Sequence, residues 1–236
     1  MEPYTYLLIN ILSVSVPFLA SFHPYLRFYR EWKYLFPAMG ITLLFFICWD
    51  VLFTHLGVWG FNPRYLTGIN LINLPIEEWM FFIAIPYASL FTHFALGKIM
   101  KFTISAKLST TNSWVLATVL IGIGLLHLHQ LYTSVTFILT GLFLVLHNLF
   151  AKRHPIGRFY LSYVVILIPF FIVNGILTGS FIPEEVVWYN NSLNLGIRLG
   201  TIPIEDAGYG FLMLAMSQTF YSYFKARGES SASKQD

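Results

Sequence analysis

The chain has 236 residues, 56% of them hydrophobic, 18% aromatic and only 11% charged. A soluble domain carries about 25% charged residues, so a soluble globular class is excluded. The net charge of +3 reads as loops meeting anionic lipid, not as a nucleic-acid surface, and a single cysteine, Cys48, allows no intramolecular disulfide.

In chain order, seven apolar runs reach the roughly 17–25 residues that cross a bilayer: about 3–22, 34–56, 75–96, 113–131, 133–150, 160–182 and 203–224. The first follows Met1-Glu2, with no basic n-region and no small-residue cleavage pattern, so it is expected to be a retained helix, not a signal peptide. The fourth and fifth are nearly contiguous, and a tight turn is expected near Gln130 to Thr133. The stretch from Gly228 to Asp236 is small and polar and is expected to be disordered.

Basic residues order these spans. With the N-terminus outside, the inner loops carry Arg27, Arg30, Lys33, Lys98, Lys101, Lys107, Lys152, Arg153 and Arg158, and the tail adds Lys225, Arg227 and Lys234. Only Arg64 and Arg198 fall outside. Positive charge accumulates on the cytoplasmic side, which predicts seven spans with a cytoplasmic C-terminus.

The chain also repeats itself. His23-Pro24-Tyr25-Leu26-Arg27-Phe28-Tyr29 matches His154-Pro155-Ile156-Gly157-Arg158-Phe159-Tyr160 at five of seven positions. Tyr4-Thr5 aligns with Tyr132-Thr133, Val58-Trp59 with Val187-Trp188, and Pro75-Ile76-Glu77-Glu78 with Pro203-Ile204-Glu205-Asp206. The expected architecture is an all-α polytopic membrane protein. Two parallel three-helix repeats (1–112 and 132–224) are joined by a linking transmembrane helix (113–131) and followed by a disordered cytoplasmic tail (225–236). Parallel repeats pack about an axis along the membrane normal.

The acids stand out because there are only eleven, four of them in the doubled motif. A carboxylate is costly in hydrocarbon, so an intramembrane acidic pair marks a functional site. Asp50 in span 2 has Asn174 as its counterpart in span 6, and both are expected at the depth of the motifs, in the outer half of the membrane. Neighbouring helical residues point about 100° apart. Because the first acid is Glu in both copies, Glu77 and Glu205 are expected to face each other, with Glu78 and Asp206 directed to neighbouring helices or to Asp50 and Asn174. Proline is read as the first helical residue, where its missing N–H costs nothing. Trp49, Trp79, Phe81, Phe82, Tyr209 and Phe211 flank the acids as candidate cation-stabilising faces. Trp32, Trp114 and Trp188 read as interfacial belt residues. First-turn acids could also be simple helix N-caps facing headgroups, a reading that leaves Asp50 and the duplication unexplained. His127, His129 and His147 do not suggest a metal, because alternating histidines point to opposite sides of a helix. His55 and His93 read as satisfied polar groups near span ends, and Arg27 and Arg158 as loop anchors of the topology.

The doubled Pro-x-Glu-Glu/Asp motif, Trp49-Asp50, Thr54, Trp59-Gly60-Phe61-Asn62 and Asn174-Gly175-Ile176-Leu177-Thr178-Gly179 resemble the lycopene cyclase domain family over residues 1 to about 224, in its fused form. The resemblance implies a carotenoid substrate, lycopene, whose ψ ends close to β rings without net redox change, giving γ- or β-carotene, and it implies no cofactor. Glu77, Glu78, Glu205, Asp206, Asp50 and Asn174 would be catalytic, and Trp49, Trp79, Phe82 and Tyr209 would bind substrate. Two carboxyls sharing a proton can supply acid and base, since like charges in low dielectric do not both ionise easily. The expected setting is a bacterial inner membrane, with other carotenoid-pathway enzymes as candidate partners. A proton-coupled transporter is the rival from another class, and an ε-cyclase or a cyclase of another carotenoid is the rival within this one. Covalent retinal binding is excluded, because every lysine lies in a loop or tail.

Overall fold

The computed structural model describes residues 2–100, 103–151 and 156–232, with side chains to 230. Lys101, Lys152, Arg153, His154, Pro155 and residues 233–236, Lys234 included, lie outside the described residues. Seven α-helices make up the described body: α1 (Thr5–Ala20), α2 (Trp32–His55), α3 (Ile76–Ile99), α4 (Ala106–Leu126), α5 (Leu131–Phe150), α6 (Gly157–Leu177) and α7 (Ile204–Ala232). Three short antiparallel strand pairs lie in the segments between α2 and α3 and between α6 and α7. They are β1 (Trp59–Phe61) with β4 (Val187–Tyr189), β2 (Asn70–Leu71) with β3 (Leu74–Pro75), and β5 (Arg198–Leu199) with β6 (Ile202–Pro203).

Six helices, α1 to α6, are long and apolar enough to cross a membrane. The exception is α7, although it is the longest at 29 residues. Its hydropathy is diluted by Glu205, Asp206, Ser217, Gln218 and Thr219, and it can afford them because it is the central helix. It packs on α2 and α5 and also touches α3 and α6. Phe211 to Ala215 are all buried on it. A helix shielded from lipid by other helices does not need a lipid-like surface.

Several boundaries differ from those expected. The turn between α4 and α5 falls at His127–Gln130, earlier than Gln130 to Thr133. Helix α4 starts in the polar stretch at Ala106, because the Ser105 hydroxyl caps it by accepting from Leu108 N at 3.3 Å. Helix α6 ends at Leu177. Residues 225–232 continue α7 where a disordered tail was expected. Arg158 sits in the first turn of α6, not in a loop, whereas Arg27 does occupy a loop, with φ of 48° and Nε donating to Pro24 O at 2.8 Å.

Helices α4 and α5 form a close hairpin. A Cβ on Gly124 would come within 2.7 Å of Ile138 Cγ1, and one on Gly141 within 2.9 Å of the Ala117 carbonyl oxygen. Small residues allow such backbone approach between membrane helices. Within the halves α1 lies on α3 and α5 on α7; between them α2 lies against α7, α6 lies against α3, and β1 pairs with β4 in the register Trp59↔Tyr189 and Phe61↔Val187. Each half therefore places its middle helix on the last helix of the other.

Local structure recurs along the chain. The Asn62 side chain accepts from Arg64 N, and the Asn190 side chain accepts from Ser192 N, both at 3.1 Å. Each asparagine starts a 3₁₀ turn, Pro63–Tyr65 and Asn191–Leu193. Aligning the two halves on these caps makes Trp59 equivalent to Val187, one residue out from the equivalence with Trp188 expected from Val-Trp identity.

Candidate active site

The acidic motifs are built by the strand pairs. Pro75 is the extended N-cap of α3 (φ −65°, ψ 148°) and belongs to β3, so it precedes the first helical residue and does not occupy it. Ile76 N donates to Ile69 O at 2.8 Å, and Ile204 N donates to Ile197 O at 3.0 Å. A helix start leaves N–H groups unpaired, and in both copies the preceding loop supplies an acceptor.

Within each motif the two acids part company: the second shares a wall with Asp50 and Asn174, one of the two placements expected for it, whereas the first does not face its counterpart. The first acid is fully buried, with Glu77 and Glu205 both 0% exposed. Glu77 Oε1 accepts from Thr67 N at 2.7 Å, while Asn10 Nδ2 donates to Glu77 O at 2.8 Å. Glu205 Oε1 accepts from Leu195 N at 2.8 Å and from the Thr133 hydroxyl at 2.6 Å. Each of these glutamates ties the loop before its helix to the bundle. Neither borders the chamber that holds their neighbours Glu78 and Asp206.

The second acid of each motif does line a cavity. An apolar chamber of about 300 Å³ carries Glu78, Asp206, Asp50 and Asn174 on its wall. Glu78 Oε2 accepts a hydrogen bond from the Tyr6 hydroxyl. Asp206 Oδ1 accepts from Tyr132 at 2.5 Å and Oδ2 from Tyr189 at 2.9 Å. Asp50 Oδ1 accepts from Trp59 Nε1, and Asp50 Oδ2 has no hydrogen-bond partner among the described residues. Tyr189 lies outside the helices; burial first, and then the Asp206 charge, push its phenol well above the ordinary range, so it stays an O–H donor.

Aromatic rings close the acidic end. Trp59 meets Tyr132 edge-on at 5.1 Å between centroids, and Tyr132 stacks on Tyr189 at 5.8 Å. Of the expected substrate-binding residues, only Tyr209 is on the wall. Trp49 packs behind it at 5.0 Å, Phe82 packs against Phe46 and yields the wall position to Phe81, and Trp79 donates to Leu71 O at 3.4 Å, holding the β2–β3 hairpin. Tyr6, Trp59, Tyr132 and Tyr189 were not foreseen as site residues. A signal for the first pair was present: by hydrogen-bonding role Tyr6, not Tyr4, is the partner of Tyr132, and each sits near the start of its repeat's first helix.

Below the acids the wall is mostly apolar, broken by Ser13, Ser89 and Thr92. On α3 it runs from Glu78 to Thr92, about 21 Å of helix at 1.5 Å per residue. No Lys, Arg or His among the described residues borders the chamber.

The lycopene cyclase family model matches the chain twice, over residues 3–96 and 129–224. The chain belongs to the lycopene cyclase family. Among curated proteins and solved structures, none matches it. The two matched regions of this lycopene cyclase family member each contain one copy of the acidic motif, and together they contribute every carboxyl of the chamber. With its six apolar helices it is a membrane protein of carotenoid cyclase type.

Proposed function

We propose that the protein is a lycopene β-cyclase that closes ψ ends by proton transfer, without net redox change. The observation that carries this reading is the chamber in which Glu78, Asp206 and Asp50 share an apolar, aromatic space with no cationic side chain. A carboxylic acid adds its proton to the terminal trisubstituted alkene and leaves a tertiary carbocation. The neighbouring double bond attacks that centre, forming the ring bond and moving the charge into the ring. Loss of a proton from the ring carbon bearing the polyene gives the β ring and returns the proton to the enzyme. Loss from the other side of the cation would give an ε ring.

The side chains fit these steps. Asp206, accepting from two phenols, is the proton acceptor and the counter-charge to the ring cation. Asp50, whose Oδ2 meets no donor, carries the proton to be delivered, and Glu78 serves as the third carboxyl through which protons redistribute. General acid–base groups of this kind contribute about 10²–10⁴-fold in rate. The rings of Trp59, Tyr132 and Tyr209 offer cation–π contacts worth about 2 kcal/mol when desolvated. The Tyr6, Tyr132 and Tyr189 hydroxyls donate to the carboxylates, which holds Glu78 and Asp206 in place at the reacting end. The long apolar wall suits a linear polyene with its reacting end at the acids.

In this reading α7 is the seventh crossing, the N-terminus is outside and the C-terminus cytoplasmic. The chain is a duplication, 1–112 and 132–224 about a linking helix, in a bacterial cell membrane beside other carotenoid enzymes. Expression in a lycopene-accumulating bacterial host tests the function. Cyclic product with β ends is expected, and unchanged lycopene would overturn it. Product formed in heavy water should carry deuterium in the ring, and unlabelled product would rule out closure by protonation.

A further inference from the structure

At the opposite end of the bundle from the carboxylates lies a second cavity, of about 400 Å³, formed by the end of α3, the start of α6, α7 and the 3₁₀ turn Phe28–Glu31. Its chemistry is the reverse of the first. Arg158, Lys98 and Lys225 line it, with Glu31 as the single acid. That acid is already engaged, since Glu31 Oε2 accepts from Lys225 Nζ at 2.9 Å and from the Tyr221 hydroxyl at 2.7 Å. Arg158 and Lys98 make no ion pair among the described residues.

The arginine is held in place. A guanidinium only donates, so His93 Nε2 accepts from Arg158 Nη2, at 3.4 Å. The His93 proton then sits on Nδ1 and donates to Ser162 Oγ at 2.7 Å, and Ser162 Oγ donates to Arg158 O at 3.1 Å. Gly97 faces the guanidinium so closely that a Cβ there would lie 2.6 Å from Arg158 Cζ. A side chain at residue 97 would displace the group, and its absence leaves a seat. A buried histidine, a serine and a glycine on two helices thus orient one guanidinium toward a polar cavity without giving it a counter-charge.

We propose that this cavity binds an anionic phosphate group, presented either by a phospholipid headgroup or by a soluble phosphate. The forked guanidinium matches phosphate oxygens, Lys98 adds a second positive charge, and Gln218 and Ser222 provide further polar groups on the same wall. Phe28, Leu35 and Phe94 border the cavity too, an apolar rim that an acyl chain can follow. The site is independent of the cyclisation chemistry.

The test uses the purified full chain in nanodiscs of phosphatidylcholine alone or mixed with phosphatidylglycerol, and in detergent with and without inorganic phosphate. Native mass spectrometry should find phosphatidylglycerol retained by the wild type in preference to phosphatidylcholine. Retention should fall about tenfold or more in Arg158→Gln, as expected for losing a charge-assisted contact. If millimolar phosphate raises the melting temperature while phosphatidylglycerol is not selectively retained, and Arg158→Gln abolishes that rise, the ligand is a soluble anion. Equal behaviour of wild type and Arg158→Gln with both probes, or no effect of either probe on the wild type, overturns the proposal. Should Arg158→Gln not fold, Lys98→Gln, at a helix end, decides: unchanged retention and unchanged phosphate response overturn it.

Discussion

At the residue scale, the two acids of each motif meet different surroundings, and substitution should separate them. Glu78→Gln, Asp206→Asn and Asp50→Asn each remove a carboxyl from the chamber and should lower kcat by about 10²-fold or more with little change in expression. Glu77→Gln keeps the oxygen that accepts from Thr67 N and puts an amide where Oε2 has no partner. It should cost about 1–3 kcal/mol of stability, the penalty of an unsatisfied buried donor, while activity stays within about tenfold of wild type. Pigment assays paired with thermal melts distinguish these outcomes, and a hundredfold loss in Glu77→Gln with normal stability would contradict the assignment. The expectation that the first acids face each other came from their identity in both copies. That identity has another cause: each first glutamate makes the same loop-anchoring contact, so both need the same reach. At the second position Glu78 meets one phenol and Asp206 meets two.

At the scale of elements, the loops are as constrained as the helices. The β2–β3 turn holds Ile72 at φ of 63°, and the β5–β6 turn holds Gly200 at φ of 68°. A left-handed conformation costs an ordinary residue about 1–2 kcal/mol, and Ile72 is 71% exposed, with little packing to lose. Ile72→Gly should therefore stabilise the protein by up to about 1 kcal/mol after the entropy of glycine is offset, read as a rise in melting temperature. No rise would mean that Ile72 gains its place from contacts outside the protein. The apolar runs were legible because bilayer thickness fixes their length. The polar start of α4 and the helical end of α7 were missed, because there capping and continuation, not hydropathy, carry the helix. The asparagine caps of the 3₁₀ turns were readable in principle, since each is a short-range rule.

At the scale of the whole molecule, the halves are interlocked. With α2 on α7, α6 on α3 and β1 on β4, neither half encloses the chamber, whose carboxyls come from both. Cutting the chain between α3 and α4 should leave two fragments that are inactive alone and restore cyclisation when co-expressed; activity of either fragment by itself would refute a shared site.

The sequence by itself determined the membrane class, the apolar runs and the doubling of the acidic motif, because each follows from residue type and local spacing. Only the tertiary structure decided which acid of each pair meets the chamber, that Tyr6, Tyr132, Tyr189 and Trp59 serve those acids, and that α7 is the core of the bundle. Those outcomes depend on helix rotation and on contacts between residues far apart in the chain, and a single sequence carries no record of which distant surfaces touch.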